Sequence, residues 1–142
     1  MQLTLLLILI LLTITTHTQT NFTTAYFKIQ INNKGYITSM KNVTKAMHQR
    51  EFSPADKPSP LFSLYDSKKS MYYHPIKASY EKAKQTFRLH FSNGSVATVS
   101  LIAHKKYFKL TLLSLSPASG IDGIQWGAYH TSITNLFECY NP

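Results

Sequence analysis

Gln85-Thr-Phe-Arg-Leu-His-Phe91, the loop Ser92-Asn93-Gly94 and the run from Val96 to Ser116 decide the fold. Phe87, Leu89 and Phe91 alternate with Thr86, Arg88 and His90, the period of two expected of a strand with one buried face. Ser92-Asn93-Gly94 reads as a three-residue hairpin loop, with Gly94 free to take positive φ. Side-chain parity selects that loop. It sets Phe87 opposite Val99 and Leu89 opposite Ala97, whereas a two-residue loop at Asn93-Gly94 would set Arg88 opposite Val99 and His90 opposite Ala97. After His104-Lys105-Lys106-Tyr107 a third strand is expected, with Phe108, Leu110 and Leu112 on one face. Pairing Ala103 with Phe108 puts Leu101 opposite Leu110 and Val99 opposite Leu112. One apolar face then spans the meander and needs a second layer to cover it.

The same alternation recurs upstream. Ala25-Tyr-Phe-Lys-Ile-Gln-Ile31 is expected to be the first strand of the mature chain, Asn32-Asn33-Lys34-Gly35 its turn, and Tyr36-Ile-Thr-Ser-Met40 the returning strand. Lys34-Gly35-Tyr36 has the opening of an RNA-binding sheet motif. Ile37 stands where a small residue is due and the later aromatics are missing, which excludes it. Asn42–Pro60 carries no clean period. Lys45–Glu51 has the length of a helical turn, but Pro54, Pro58 and Pro60 favour an irregular loop. Leu61–Tyr65, Met71–His74 and Ile76–Tyr80 read as short strands, with Asp66–Ser70 as a turn and Pro75 marking an edge or a bend. Pro117–Gly123 is a loop, and Ile124–Ile133 a last strand. About eight or nine short strands with frequent turns specify an all-β protein, an antiparallel β-sandwich.

The 142 residues allow one domain. Leu3–Ile14 is almost continuously apolar, too short for a membrane span of roughly 20 residues but matched to the h-region of a signal peptide. Thr16–Thr20 follows as a polar exit. Residues 1–19 are therefore expected to be a signal peptide and residues 20–142 the β-sandwich, with no transmembrane span. The n-region lacks Lys and Arg, and a buried N-terminal helix or strand is the competing reading. Cys139 is the lone cysteine and has no intramolecular disulfide partner. Export without disulfides points to a secreted or periplasmic bacterial protein. Asn21-Phe-Thr, Asn42-Val-Thr and Asn93-Gly-Ser fit the glycosylation pattern, which carries little weight in a bacterium.

The formal net charge is +9. A basic chain favours acidic partners, yet the lysines are scattered singly and in pairs, as on a solvated outer face rather than along a nucleic-acid stripe. Hydrolysis of a glycosidic bond ordinarily needs a carboxylate pair. The acidic residues are Glu51, Asp56, Asp66, Glu81, Asp122 and Glu138, most in expected turns and no two on one strand face. No catalytic residue is assigned. His48, His74, His90, His104 and His130 form no ligand-spaced pair, so no metal and no cofactor is expected. Trp126 and Tyr129, beside His130, are the candidate carbohydrate-binding residues, as a platform for a sugar ring. The competing reading makes Trp126 a core residue of the last strand.

Gly123-Ile-Gln-Trp-Gly-Ala-Tyr-His-Thr131, together with Gly35-Tyr-Ile-Thr-Ser-Met40 and the Asn93-Gly-Ser hairpin, resembles the N-terminal β-sandwich of large secreted glycoside hydrolases of α-galactosidase-like type from Bacteroidetes-like bacteria. That sandwich is similar to the galactose-mutarotase-like supersandwich, and the likeness runs from about Tyr26 to Phe137. The resemblance implies a non-catalytic, carbohydrate-associated module, with the catalytic carboxylates on a following barrel domain. The chain departs from the pattern after Asn135-Leu-Phe137, where it looks like a fragment that is incomplete at the C-terminus. The alternative function is a basic surface-interaction module for anionic glycan or cell-envelope material.

Overall fold

The structure is a computed structural model that describes residues 19–44, 50–54 and 56–131. The expected signal peptide up to residue 18, residues 45–49 of the helical turn weighed for Lys45–Glu51, and Cys139 lie outside the described residues, and Glu51 forms an antiparallel bridge with Lys41. The strands are β1 (Thr20–Thr23), β2 (Phe27–Ile31), β3 (Tyr36–Asn42), β4 (Ser59–Pro60), β5 (Phe62–Asp66), β6 (Met71–Tyr73), β7 (Pro75–Glu81), β8 (Thr86–Phe91), β9 (Val96–Ala103), β10 (Phe108–Ser116) and β11 (Gly123–Trp126). They form three antiparallel sheets, in the orders β1-β2-β3-β4, β10-β9-β8-β7 and β11-β5-β6. The all-β, sheet-on-sheet reading holds.

The central meander has the register that parity demands. Phe87 pairs with Val99 and Leu89 with Ala97. Ala103 pairs with Phe108, Leu101 with Leu110 and Val99 with Leu112. Phe91 N–H donates to Ser95 O at 2.9 Å, which leaves Ser92, Asn93 and Gly94 as the loop. Gly94 has φ of 85°, and Asn93 Oδ1 accepts from Ser95 N at 3.1 Å. Two of the glycosylation-pattern asparagines are thus turn formers, since Asn42 Oδ1 likewise accepts from Thr44 N at 2.8 Å.

The buried face of this sheet, carrying Phe87, Leu89, Phe91, Ala97, Val99 and Leu101, meets Ile29, Ile31 and Ile37 of the first sheet and Leu61, Phe62 and Leu64 around β5. Aromatic rings stitch the layers. Phe22 of β1 lies 5.1 Å from Tyr80 and 5.7 Å from Phe87, and Phe62 lies 5.3 Å from Phe91. Each such buried ring contributes about 1.5–3 kcal/mol by leaving water. Backbone bonds add to this, from Ala25 N to Lys105 O at 2.9 Å and from Ala78 N to Asn33 O at 2.6 Å.

Three departures from the sequence reading have local causes. The first strand is Thr20–Thr23, not a strand beginning at Ala25. Thr24 interrupts the run because its Oγ1 accepts from Phe27 N at 2.9 Å and Tyr26 N at 3.2 Å, bending the chain. The last strand among the described residues is Gly123–Trp126 and does not run on through the expected Ile124–Ile133 span, because the chain turns away at Gly127, with φ of 73°; residues 132 and 133 of that span lie outside the described residues. The eleven strands among the described residues exceed the expected eight or nine because β1 and β4, at four and two residues, are too short to show a period. Pro75, in turn, is where the chain leaves the β5–β6 sheet and enters the edge of the central sheet as β7.

Gly35 is where the β2–β3 turn meets the central sheet. A Cβ there would lie 2.8 Å from Leu89 Cδ2 and 3.3 Å from Pro75 Cβ, at a φ of +86°. At Gly94 a Cβ would meet nothing within 4 Å, at a φ of +85°. Gly94→Ala is expected to cost about 1–2 kcal/mol through left-handed strain alone. Gly35→Ala carries the same strain plus about 1–3 kcal/mol of overpacking against a fully buried leucine. Urea unfolding of both variants checks the ordering, and equal midpoints would contradict it.

Candidate functional site

The period of two that buries one face of the central sheet necessarily turns the other outward. Strand register sorts that outer face into rows. Ser79 pairs with Arg88, Arg88 with Thr98 and Thr98 with Ser114. Glu81 pairs with Thr86, Thr86 with Ser100 and Ser100 with Thr111. Side chains directly opposite across an antiparallel pair stand about 4.5–5.5 Å apart at Cβ. The rows are therefore dense arrays of hydroxyls with one guanidinium set among them.

This face holds a cleft of about 730 Å³, lined by Ser79, Thr86, Arg88, Thr98, Ser114 and Ser116 together with Glu81, Lys84, Val96 and Leu113. The volume is within the range of small-ligand sites, roughly 300–1,000 Å³. A bulge in β10 shapes one wall. Leu112 pairs with Val99 and Ser114 with Thr98, so Leu113 is the extra residue. The bulge lets both Leu112 and Leu115 reach the core face, and it bends the edge strand. Leu113 is left 57% exposed in the cleft wall.

Charge in the cleft is unequally distributed. Lys84 Nζ is 2.9 Å from Glu81 Oε1, so these two neutralise each other. Arg88 makes no ion pair or side-chain hydrogen bond among the described residues. Arg88 is exposed and flanked by hydroxyls, and the carboxylate that shares the cleft lining with it, Glu81, is paired with Lys84 instead.

The sequence-assigned residues Trp126, Tyr129 and His130 lie elsewhere and do not line this cleft. Trp126 pairs with Phe62 across β11 and β5, with ring centroids 4.8 Å apart, and stays 40% exposed. It is both a support of the core and a surface aromatic. Tyr129 donates its hydroxyl to Leu61 O at 3.1 Å, and burial raises its pKa. Its ring walls a separate apolar cavity of about 320 Å³ between the first sheet and β10. His130 N donates to Ser59 Oγ at 2.8 Å while the residue stays exposed. The hydroxyl rows were missed because outward-facing Ser and Thr look like ordinary solvated strand positions. Only their cross-strand alignment marks them.

Three carboxylates within the described residues, Asp66, Asp122 and Glu51, have structural duties. Asp66 is 3% exposed; its Oδ1 accepts from Lys69 N at 3.1 Å and its Oδ2 is 3.3 Å from Lys69 Nζ. Asp122 Oδ2 accepts from Ser67 N at 2.8 Å and from Ser67 Oγ, and these bonds lower its pKa. Glu51 accepts from Ser39 Oγ at 2.6 Å, Met40 N at 2.7 Å and Ser53 N at 3.1 Å. Burial by itself would raise the Glu51 pKa. The hydrogen bonds from Ser39, Met40 and Ser53, with the Lys41 charge, outweigh it and hold the carboxyl below its ordinary value of 4.5. Glu138 lies outside the described residues.

Ser63 Oγ and His74 Nδ1 are 2.8 Å apart, the spacing of a nucleophile and its base. Ser63 is 1% exposed inside a paired strand, so the contact satisfies a buried hydroxyl and presents nothing to a substrate. Among the described residues no three His, Cys, Asp or Glu side chains are grouped to hold a metal, and no helix is long and apolar enough to cross a membrane. In comparisons with protein-family models, curated proteins and solved structures, nothing matches this chain.

The Glu51 geometry has a pH signature. A carboxyl whose folded pKa is lowered stabilises the fold above its unfolded value and ceases to do so as pH falls through the folded value. The stability difference between wild type and Glu51→Gln is therefore expected to be constant from neutral pH to about 5 and to shrink below 4.5. Urea midpoints at stepped pH measure it. A difference that grew on acidification would contradict the assignment.

Proposed function

We propose that this chain forms a non-catalytic, carbohydrate-associated β-sandwich module, exported, and related to the N-terminal sandwich of a secreted glycoside hydrolase whose catalysis belongs to a separate barrel domain. One observation carries the binding half of this reading. The cleft on the outer face of the central sheet is walled by aligned hydroxyls, a guanidinium and a single exposed leucine. Hydroxyl rows match the alternating donors and acceptors of a saccharide, and Leu113 offers an apolar surface to the C–H face of a sugar ring. The non-catalytic half rests on the carboxylates. Among the described residues Glu81 is the only acid lining the cleft, and it is tied to Lys84, whereas glycosidic cleavage ordinarily uses two acids on opposite sides of the bond. The sequence resemblance, with its galactose-mutarotase-like supersandwich, supports the family half.

A second reading has its own support. The net charge is +9, and exposed lysines are found on all three sheets or their turns, including Lys41, Lys68, Lys77 and Lys109. A basic surface of that kind would hold anionic glycan or cell-envelope material diffusely. Such binding weakens steeply with salt, because exposed charges are screened within about 8 Å at physiological ionic strength.

A glycan array probed with wild type, Thr98→Trp and Trp126→Ala tests the proposal. Position 98 is an outer-face strand position, where an aromatic ring is compatible with the sheet. The Thr98→Trp ring fills the cleft and is expected to abolish binding, with Trp126→Ala leaving it intact. Loss on Trp126→Ala alone would move the site to the β11 edge. Turnover of aryl glycosides by the purified chain would overturn the non-catalytic reading.

A further inference from the structure

We infer that the cleft selects saccharides bearing a carboxylate, with Arg88 as the specificity residue; this deepens the glycan reading above and rests on it. Arg88 stands in the row Ser79–Arg88–Thr98–Ser114, hydroxyls on both sides of it. Because the Glu81–Lys84 pair cancels itself, the charge left uncompensated in the cleft is that of the guanidinium.

A neutral glycan would leave that charge unanswered. A heavily sulfated or phosphorylated chain carries a charge on nearly every unit and needs a series of cations along its path. Among the described residues the cleft supplies one unpaired cation. One planar fork of N–H donors suits one planar carboxylate, which it binds through two parallel hydrogen bonds. The flanking hydroxyls of Ser79 and Thr98 then meet the ring hydroxyls of the same sugar. Nucleic acid is disfavoured because, among the described residues, no aromatic side chain lines the cleft to stack on a base. The ligand class that satisfies the guanidinium, the hydroxyls and Leu113 together is a uronic-acid oligosaccharide.

The test is calorimetric titration of the full chain with a short oligogalacturonide, its methyl ester, and a sulfated oligosaccharide. The acid and its methyl ester share every ring hydroxyl and differ at the carboxyl group, which esterification caps with a methyl and leaves uncharged. Wild type is expected to bind the acid roughly tenfold or more tightly than the ester, the scale of one charge-assisted hydrogen-bonding pair. Arg88→Gln is expected to erase that ratio while still binding the ester. Arg88→Lys should keep part of the ratio, since it preserves charge but not the fork. Lys109→Gln, on the same sheet but outside the cleft lining, is the control and should leave the ratio unchanged. Circular dichroism of each variant verifies that the sheet is intact.

Equal binding of acid and ester by wild type would overturn carboxylate selection and leave the glycan reading standing. Failure to bind either would remove both. Preference for the sulfated probe, reduced as much by Lys109→Gln as by Arg88→Gln, would replace the inference with diffuse charge attraction.

Discussion

The cross-strand register of the β8–β9 hairpin is the constraint on which the rest depends. Phe87 opposite Val99 and Leu89 opposite Ala97 bury one face. The same register sets Arg88 opposite Thr98 on the other. A slip by one residue would move every side chain of one strand to the wrong side. Core and cleft are thus two outcomes of a single pairing, and neither can be altered by a shift without losing the other. The three-residue loop with Gly94 at positive φ holds that pairing in place.

The layers around this hairpin are joined at a few close approaches. Gly35 lets the β2–β3 turn come against Leu89 and Pro75, where a methyl group would collide. Phe22 and Phe62 carry aromatic contact from the neighbouring sheets to Phe87 and Phe91. At Pro75 the chain crosses from one sheet to another, and the irregularity between Pro75 and Lys77 leaves Ile76 out of the ladder. A proline lacks the amide proton that a central strand must donate, so it is tolerated on β7, the edge of its sheet.

Polar groups follow the same division between fold and surface. Glu51, Asp66 and Asp122 answer backbone amides and hydroxyls at strand ends and turns. Ser63 and His74 answer each other. These five side chains, which have chemistry of use in catalysis, are thereby committed to holding the chain. Among the described residues the guanidinium of Arg88, on an exposed and hydroxyl-rich surface, is unpaired and has no such duty. That contrast is the basis for proposing recognition rather than reaction as the use of this domain.

Periodicity determined the all-β class, the meander and its register, and the β2–β3 hairpin, because a period of two and a loop of set length leave one pairing consistent with a buried face. It did not reveal β1 and β4, which are too short to alternate, or the β10 bulge, which puts Leu112 and Leu115 on one side although their spacing is odd. Trp126 and Tyr129 stood out in the sequence as aromatics. Tertiary packing set one against Phe62 and tied the other to the Leu61 carbonyl. The cleft was illegible because Ser79, Arg88, Thr98 and Ser114 come from four strands, each an ordinary outward position. A sequence states which side of its own strand a residue occupies; which residues from other strands stand beside it is decided only when the sheet assembles.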